Sequence, residues 1–140
     1  VEQAEHFINL RRDSGLGYTA AISKSELLTA QRVNQGYTNT YYTFSAKFNG
    51  DQHGVTWEEF RKKYIDFGGD GIYAASKLIH QEPAFYENDI GYGKTPVAVE
   101  LQKCLMNFTT NQANAYEREV QFDAMRKTLK YYGDNSGNAG

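Results

Sequence analysis

The stretch PVAVELQKCLMNFTTNQANAYEREVQFDAMRKTLKYY, residues 96–132, decides how the rest of the sequence is interpreted. Thr95 before Pro96 is typical of a helix start, because threonine caps the first turn and proline is tolerated at its first position. Apolar residues recur every seven positions, and no glycine interrupts the stretch. We therefore expect one uninterrupted helix, on the order of 50 Å long. The recurring residues are Leu101, Phe108, Ala115, Phe122 and Leu129.

Shorter helices are predicted upstream of this stretch. Ser23 with Glu26, and Thr56 with Glu59, form capping-box patterns, in which the hydroxyl accepts a bond from the first turn and the carboxylate reaches back. Apolar residues at helical spacing follow both patterns, and a looser helical spacing covers residues 2–12. The sequence predicts a mainly α fold, with about four helices packed as a bundle around the long C-terminal helix.

Residues 37–48 fit two structures. With a period of two, their aromatic and small residues share one face of a strand, whereas a period of 3.5 places the aromatic residues on one stripe of a helix. A sheet needs at least two strands, and no second convincing alternating run is apparent, which favours the helix. The alternative is an α+β fold with a small sheet containing residues 37–48. The strand reading aligns Thr40, Tyr42, Phe44, Ala46 and Phe48.

The length of 140 residues indicates one domain with one core. We expect a single helical domain over residues 1–132. Residues 133–140 are rich in glycine and asparagine, and we expect them to form a flexible tail. Val1 leaves open whether the N-terminus is processed, and the sequence indicates neither the compartment nor the oligomeric state.

Composition excludes several classes of protein. Lys and Arg number 15 against 17 Asp and Glu, for a net charge of -2, so no nucleic-acid partner is expected. No apolar run approaches the roughly 18 residues of a membrane span, and we expect a soluble chain with no transmembrane segment. Cys104 is the single cysteine, which excludes a disulfide scaffold.

Two groups of residues are candidates for a small enzyme or ligand-binding site. The first is Asp51, His53 and Trp57, which lie close together in the sequence. The second is Lys94 with Thr95, at the predicted start of the long helix, where backbone amides favour an anion. The glycines before Lys94 are similar to the end of a phosphate-binding loop. The earlier glycine of that motif is missing, so no nucleotide is expected.

Residues 66–71 are similar to the start of an EF-hand loop, with Asp66, Asp70 and Gly71 at matching positions. Lys77 stands where that loop requires a bidentate carboxylate, and a lysine repels calcium. The histidines show no metal-ligand spacing. No metal and no cofactor are therefore expected.

Aromatic content is the unusual feature: 14% of the residues, with 11 Tyr. Adjacent aromatic residues on a helix point about 100° apart, so one member of each doublet is expected outside the core. Exposed aromatic residues on a helix too long for its own domain predict docking. The predicted interface comprises Tyr41, Tyr42, Phe85, Tyr86, Tyr131 and Tyr132.

These observations together predict a non-catalytic structural or accessory subunit of a multi-protein complex. It would bind other protein subunits through its aromatic helical surfaces. Peripheral association with a membrane complex is compatible with this interpretation. The alternative is the small enzyme or ligand-binding protein with one of the two candidate sites above.

Overall fold

The computed structural model describes residues 3–73, 77–88, 90–91 and 93–134. Two short 3-10 turns, Gly50–Gln52 and Ile79–Gln81, accompany the helices and strands. The elements in chain order are α1 (Ala4–Ala21), β1 (Leu28–Ala30), β2 (Phe44–Phe48), α2 (Trp57–Asp66), β3 (Ile72–Tyr73), α3 (Pro83–Tyr86), α4 (Pro96–Cys104), β4 (Leu105–Phe108) and α5 (Ala115–Tyr131).

The four strands form one antiparallel sheet in the order β1-β2-β4-β3. Phe108 of β4 lies opposite Phe44 of β2 and opposite Ile72 of β3. The fold is therefore α+β, as in the alternative interpretation, and β2 lies inside the ambiguous segment 37–48. The prediction of a helical bundle is wrong.

The predicted helix over residues 96–132 is also wrong, because β4 and a loop at residues 109–114 divide it into α4 and α5. Met106 and Phe108 are fully buried and alternate with the half-buried Leu105 and Asn107, as expected for a strand covered on one face. The side chain of Asn114 caps α5 by accepting a bond from the amide of its third residue. Because this stretch folds back on itself, no helix among the described residues reaches the predicted length of about 50 Å.

One of the two capping boxes is confirmed. Thr56 Oγ1 accepts a bond from the amide of Glu59, while the Glu59 carboxylate accepts one from the amide of Thr56, at 3.2 and 2.9 Å. The helix predicted after Ser23 is wrong, since residues 28–30 form β1. The amide of Leu27 donates to the carboxylate of Asp134, just after α5, and this contact holds the segment before β1 outside a helix.

The core lies between one face of the sheet and the helices α1, α2 and α5. Tyr18 of α1 is fully buried, and its ring stacks on Phe44 with the centroids 5.2 Å apart. Helix α1 continues through Gly15 and Gly17, beyond the residues 2–12 over which the sequence shows helical spacing. The inner face of β2 consists of Phe44, Ala46 and Phe48.

No helix in the described part of the chain is long and apolar enough to cross a membrane. The predicted tail begins at Gly133, and residues 135–140 lie outside the described residues. The domain boundary at residue 132 therefore stays a prediction.

Candidate functional site

A cleft of about 590 Å³ lies between the end of β2 and α4. Of the predicted trio, the exposed Asp51 lines this cleft. His53 is exposed, and Trp57 is half-buried at the start of α2, where its ring nitrogen donates to the carbonyl of Leu105. The three side chains thus have different environments, and the Trp57 contact holds α2 against the sheet.

At the second predicted site, Lys94 is exposed and Thr95 does not cap α4. The Thr95 hydroxyl instead lies 3.2 Å from Nδ1 of His80, which is buried. The hydroxyl predicted to stabilise the helix start therefore connects α4 to the preceding 3-10 turn.

A network of side-chain hydrogen bonds surrounds the loop at residues 109–114. Gln112 is buried and accepts a hydrogen bond from the Ser14 hydroxyl of α1 at 2.9 Å. Its amide nitrogen donates to the Thr109 hydroxyl at 3.1 Å, and that hydroxyl donates to Asp70 at 3.0 Å. Buried polar groups that are fully bonded rigidify a structure, so this network fixes the loop against α1.

The network continues into the core through Gln121 of α5. Its side-chain oxygen accepts bonds from the Tyr64 hydroxyl at 2.8 Å and from the Asp70 amide at 2.7 Å. The hydroxyls of Tyr64 and Tyr18 lie 3.2 Å apart. Desolvation by burial raises the pKa of Tyr18 and of Tyr64 above the usual value. Both tyrosines therefore stay neutral at physiological pH and serve as hydrogen-bonding groups.

A groove of about 350 Å³ lies between the first half of α1 and the same loop, and we call it the α1 groove. Nη1 of Arg11 donates to the Thr110 hydroxyl at 3.1 Å and to the carbonyl of Tyr42 at 2.8 Å. The guanidinium lies 5.2 Å from the centre of the Tyr42 ring, within the range of a cation–π contact. The groove is lined by His6, Phe7, Leu10, Arg11, Thr110, Asn111, Gln112 and Ala113.

Tyr41, next to the groove, has a backbone φ of +49°, in the left-handed region that an aromatic residue rarely adopts. Its buried ring lies against Gly15 of α1, and its carbonyl accepts a bond from the Thr110 hydroxyl at 2.6 Å. The ring of the following residue, Tyr42, is turned outward and is 79% exposed.

The other predicted interface residues divide in a similar way. Tyr131 is exposed, whereas Tyr132 is half-buried and stacks on Phe60. Phe85 and Tyr86 of α3 are both exposed. These positions are compatible with an interface, which stays a prediction.

The residues similar to an EF-hand loop have other roles in the structure. Asp66 forms ion pairs with Lys62 and Lys63 at 3.2 and 3.8 Å, and Asp70 belongs to the polar network. Across the described ranges, no group of three or more histidine, cysteine, aspartate or glutamate side chains is arranged to hold a metal ion.

Sequence reasoning missed Arg11, Thr110 and Gln112. Arg11 and Thr110 are 99 positions apart, and Ser14 and Gln112 are 98 apart. A single sequence carries no local signal for such contacts. The stretch TTNQAN at positions 109–114, in which every residue but Ala113 is polar, is the one feature that indicates a loop.

Three solved aminotransferases have a closely similar fold. TlmJ from Streptoalloteichus hindustanus superposes with a TM-score of 0.74 at 16% identity, over 94% of this chain and 34% of that chain. A putative sugar aminotransferase, Spr1654 from Streptococcus pneumoniae in its PMP form, gives 0.73 at 10% identity, over 94% and 33%. PseC from Helicobacter pylori, an aminotransferase involved in the biosynthesis of pseudoaminic acid, gives 0.71 at 11% identity, over 93% and 34%.

The chain shares the fold of about one third of an aminotransferase. No family model and no curated protein matches the sequence itself. The structural likeness overturns the prediction of a non-catalytic structural or accessory subunit, because the three solved proteins that share this fold are aminotransferases. The long helix on which that prediction depended is absent from the described residues.

Proposed function

We propose that this chain forms one domain of an aminotransferase-like enzyme whose acceptor substrate is a sugar derivative. The observation that carries the proposal is the superposition of 94% of the chain on about one third of TlmJ and of Spr1654. A sugar acceptor is supported by the description of Spr1654 as a putative sugar aminotransferase.

The described residues of this chain do not provide a binding site for pyridoxal phosphate, the cofactor of aminotransferases. Enzymes of this chemistry hold pyridoxal phosphate through a lysine, which must lie in a sheltered pocket. No lysine in the described ranges is buried. Lys63 is half-buried, but it pairs with Asp66 and lies 4.3 Å from the centre of the Tyr131 ring. We therefore place the cofactor in the part of the enzyme that this chain does not span.

In this proposal the chain binds and orients the substrate, and none of its own residues forms a covalent bond in the reaction. The 109–114 loop is held by Gln112 and Thr110, both buried, so its exposed residues have fixed positions. Fixed hydrogen-bonding groups orient a substrate at a low cost in conformational entropy.

The test is made on the complete native polypeptide or complex that carries this sequence, purified from its source. We expect bound pyridoxal phosphate, seen as visible absorbance. Addition of an amino acid donor should convert the cofactor to the pyridoxamine form, and a keto sugar should restore it. Borohydride reduction followed by peptide mass spectrometry should locate the modified lysine outside the residues described here.

The matched control is the 140-residue chain alone, which should remain colourless with pyridoxal phosphate. A purified native protein without the cofactor would contradict the proposed function. A stable modified lysine within residues 3–134 would contradict the assignment of the cofactor to another part of the enzyme.

A further inference from the structure

We infer that the α1 groove, with Tyr42 at its edge, is the surface on which the cofactor-holding part of the enzyme packs. This inference rests on the proposed function. The occupant is an apolar segment of that part, carrying a carbonyl or carboxylate that accepts hydrogen bonds from Arg11.

The first observation is the uneven burial of α1. Its buried residues, Ser14, Gly15, Tyr18 and Ala21, all lie in the second half of the helix. In the first half Phe7 is 56% exposed and Ile8 is 39% exposed. Helices in proteins depend on the packing of an apolar face for most of their stability. The first half of α1 therefore presents a face that another body would cover.

The second observation is the construction of the groove edge. Tyr41 keeps a strained backbone, and the hydroxyl of Thr110 bonds the carbonyls of both Tyr41 and Tyr42, at 2.6 and 2.9 Å. Strain of this kind persists where the surrounding structure enforces it, and it is concentrated at functional positions. Its effect here is to hold the exposed Tyr42 ring beside Arg11 at the rim of the groove.

The third observation concerns residue types and unused donors. Phenylalanine, tyrosine and arginine are enriched in protein interfaces, and tyrosine and arginine are frequent among the residues that contribute most of the binding energy. Phe7, Arg11 and Tyr42 supply all three at one end of the molecule. Within the described part of the chain, Arg11 bonds through Nη1, which leaves Nε and Nη2 to donate to an acceptor on the occupant.

The identity of the occupant follows from the solved enzymes. In each of the three, about two thirds of the polypeptide lies outside the part that matches this chain. The cleft at α4 also has exposed apolar residues, Val97 and Leu101, but no strained backbone and no bonded arginine are found there among the described residues. The α1 groove is therefore a stronger candidate for the interface than the cleft at α4.

The experiment is site-specific photo-crosslinking in the complete native polypeptide or complex. Benzoylphenylalanine replaces Phe7 in one variant and Leu16 in the matched control. Both residues belong to α1 and both are 56% exposed. They are nine positions apart, which places them on opposite sides of the helix. A third variant carries benzoylphenylalanine in place of Tyr42 and measures crosslinking at a second position of the groove.

We expect positions 7 and 42 to crosslink at least about ten-fold more efficiently than position 16, as a specific buried contact requires. The linked peptides should come from the region that carries the borohydride-reduced lysine. A crosslink to a second copy of this chain would overturn the inference, as would equal yields at positions 7 and 16 or no crosslink at all.

The cofactor content of the unmodified protein, taken together with the crosslinks, distinguishes failure of this inference from failure of the proposed function. If pyridoxal phosphate is bound and position 7 forms no crosslink to the cofactor-holding region, the interface is wrong and the proposed function stands. If the native protein holds no cofactor, both fall. Circular dichroism of each variant confirms that the exposed substitutions leave the helices intact.

Discussion

The ring of Phe122 in α5 lies directly against Gly17 of α1, where a β-carbon would be only 2.1 Å from Cζ of the ring. Gly15 makes the same kind of contact with the ring of Tyr41, at 2.3 Å from Cγ. Two glycines inside a helix therefore permit two aromatic rings to approach its backbone. The helix keeps its course because packing outweighs the low helix propensity of glycine.

We predict that Gly17→Ala destabilises the protein, although the same change in an open helix stabilises it by about 1 kcal/mol. The added methyl would displace the Phe122 ring, and overpacking of this kind typically costs about 1–3 kcal/mol. Urea denaturation measures the free energy of unfolding. The control is Asn9→Ala in the exposed half of α1, which should raise that free energy slightly. A Gly17→Ala variant as stable as the parent would refute the contact.

The elements that sequence reasoning predicted correctly are those fixed by local chemistry. Thr56 and Glu59 form their capping box within four residues, so α2 could be recognised without knowledge of the rest of the chain. The strand at residues 44–48 was recognisable as an alternative, since its period of two is also local. The strand could not be preferred over a helix without a partner strand to pair with it.

The missing partner was β4, whose conformation depends on β2 more than 50 positions away. Leu105 and Met106 have high helix propensities, and sheet pairing overrides them. The candidate site was missed for the same reason, since Arg11 meets Thr110 only after the sheet has formed. The prediction that one member of each aromatic doublet lies outside the core did not identify which member; in the structure Tyr41 is buried and Tyr42 is exposed.

The buried tyrosine pair predicts a loss of stability at high pH. Desolvation raises the native pKa of Tyr18 and Tyr64 above the ordinary value of 10.0. Below about pH 10 both residues are neutral in the native and unfolded states, so their contribution is complete. Above it the unfolded chain loses protons that the native protein keeps. The free energy of unfolding should then fall by up to about 1.4 kcal/mol per pH unit for each tyrosine.

Urea unfolding between about pH 8 and pH 11 tests this prediction. Tyr18→Phe removes one of the two buried hydroxyls, and its profile should be less steep than that of the parent. The exposed Tyr116 provides the control, because Tyr116→Phe removes a hydroxyl that is not buried. Parallel profiles for the parent and Tyr18→Phe would contradict the assignment.

We predict that the hydroxyl of Thr110 stabilises the backbone of residues 41–42. Thr110→Val keeps the shape of the side chain and removes the donor to the carbonyls of Tyr41 and Tyr42. Loss of buried hydrogen bonds should lower the free energy of unfolding by about 1–3 kcal/mol. Hydrogen exchange at the amide of Tyr41, which donates to the side chain of Asn39, should also accelerate, since the strained loop is released. The exposed Thr38 supplies the control, and Thr38→Val should change neither measurement.

Leu101 and Phe108 distinguish the observed fold from a continuous helix, in which both would lie on one buried stripe. In the structure Phe108 is fully buried in β4, whereas Leu101 of α4 is 50% exposed. Phe108→Ala should therefore lower the free energy of unfolding by about 3–5 kcal/mol, the usual cost of removing a buried ring. Leu101→Ala should change it by less than about 0.5 kcal/mol, as surface substitutions do. Equal losses at the two positions would favour the single helix, because only that arrangement buries both side chains against the same neighbours.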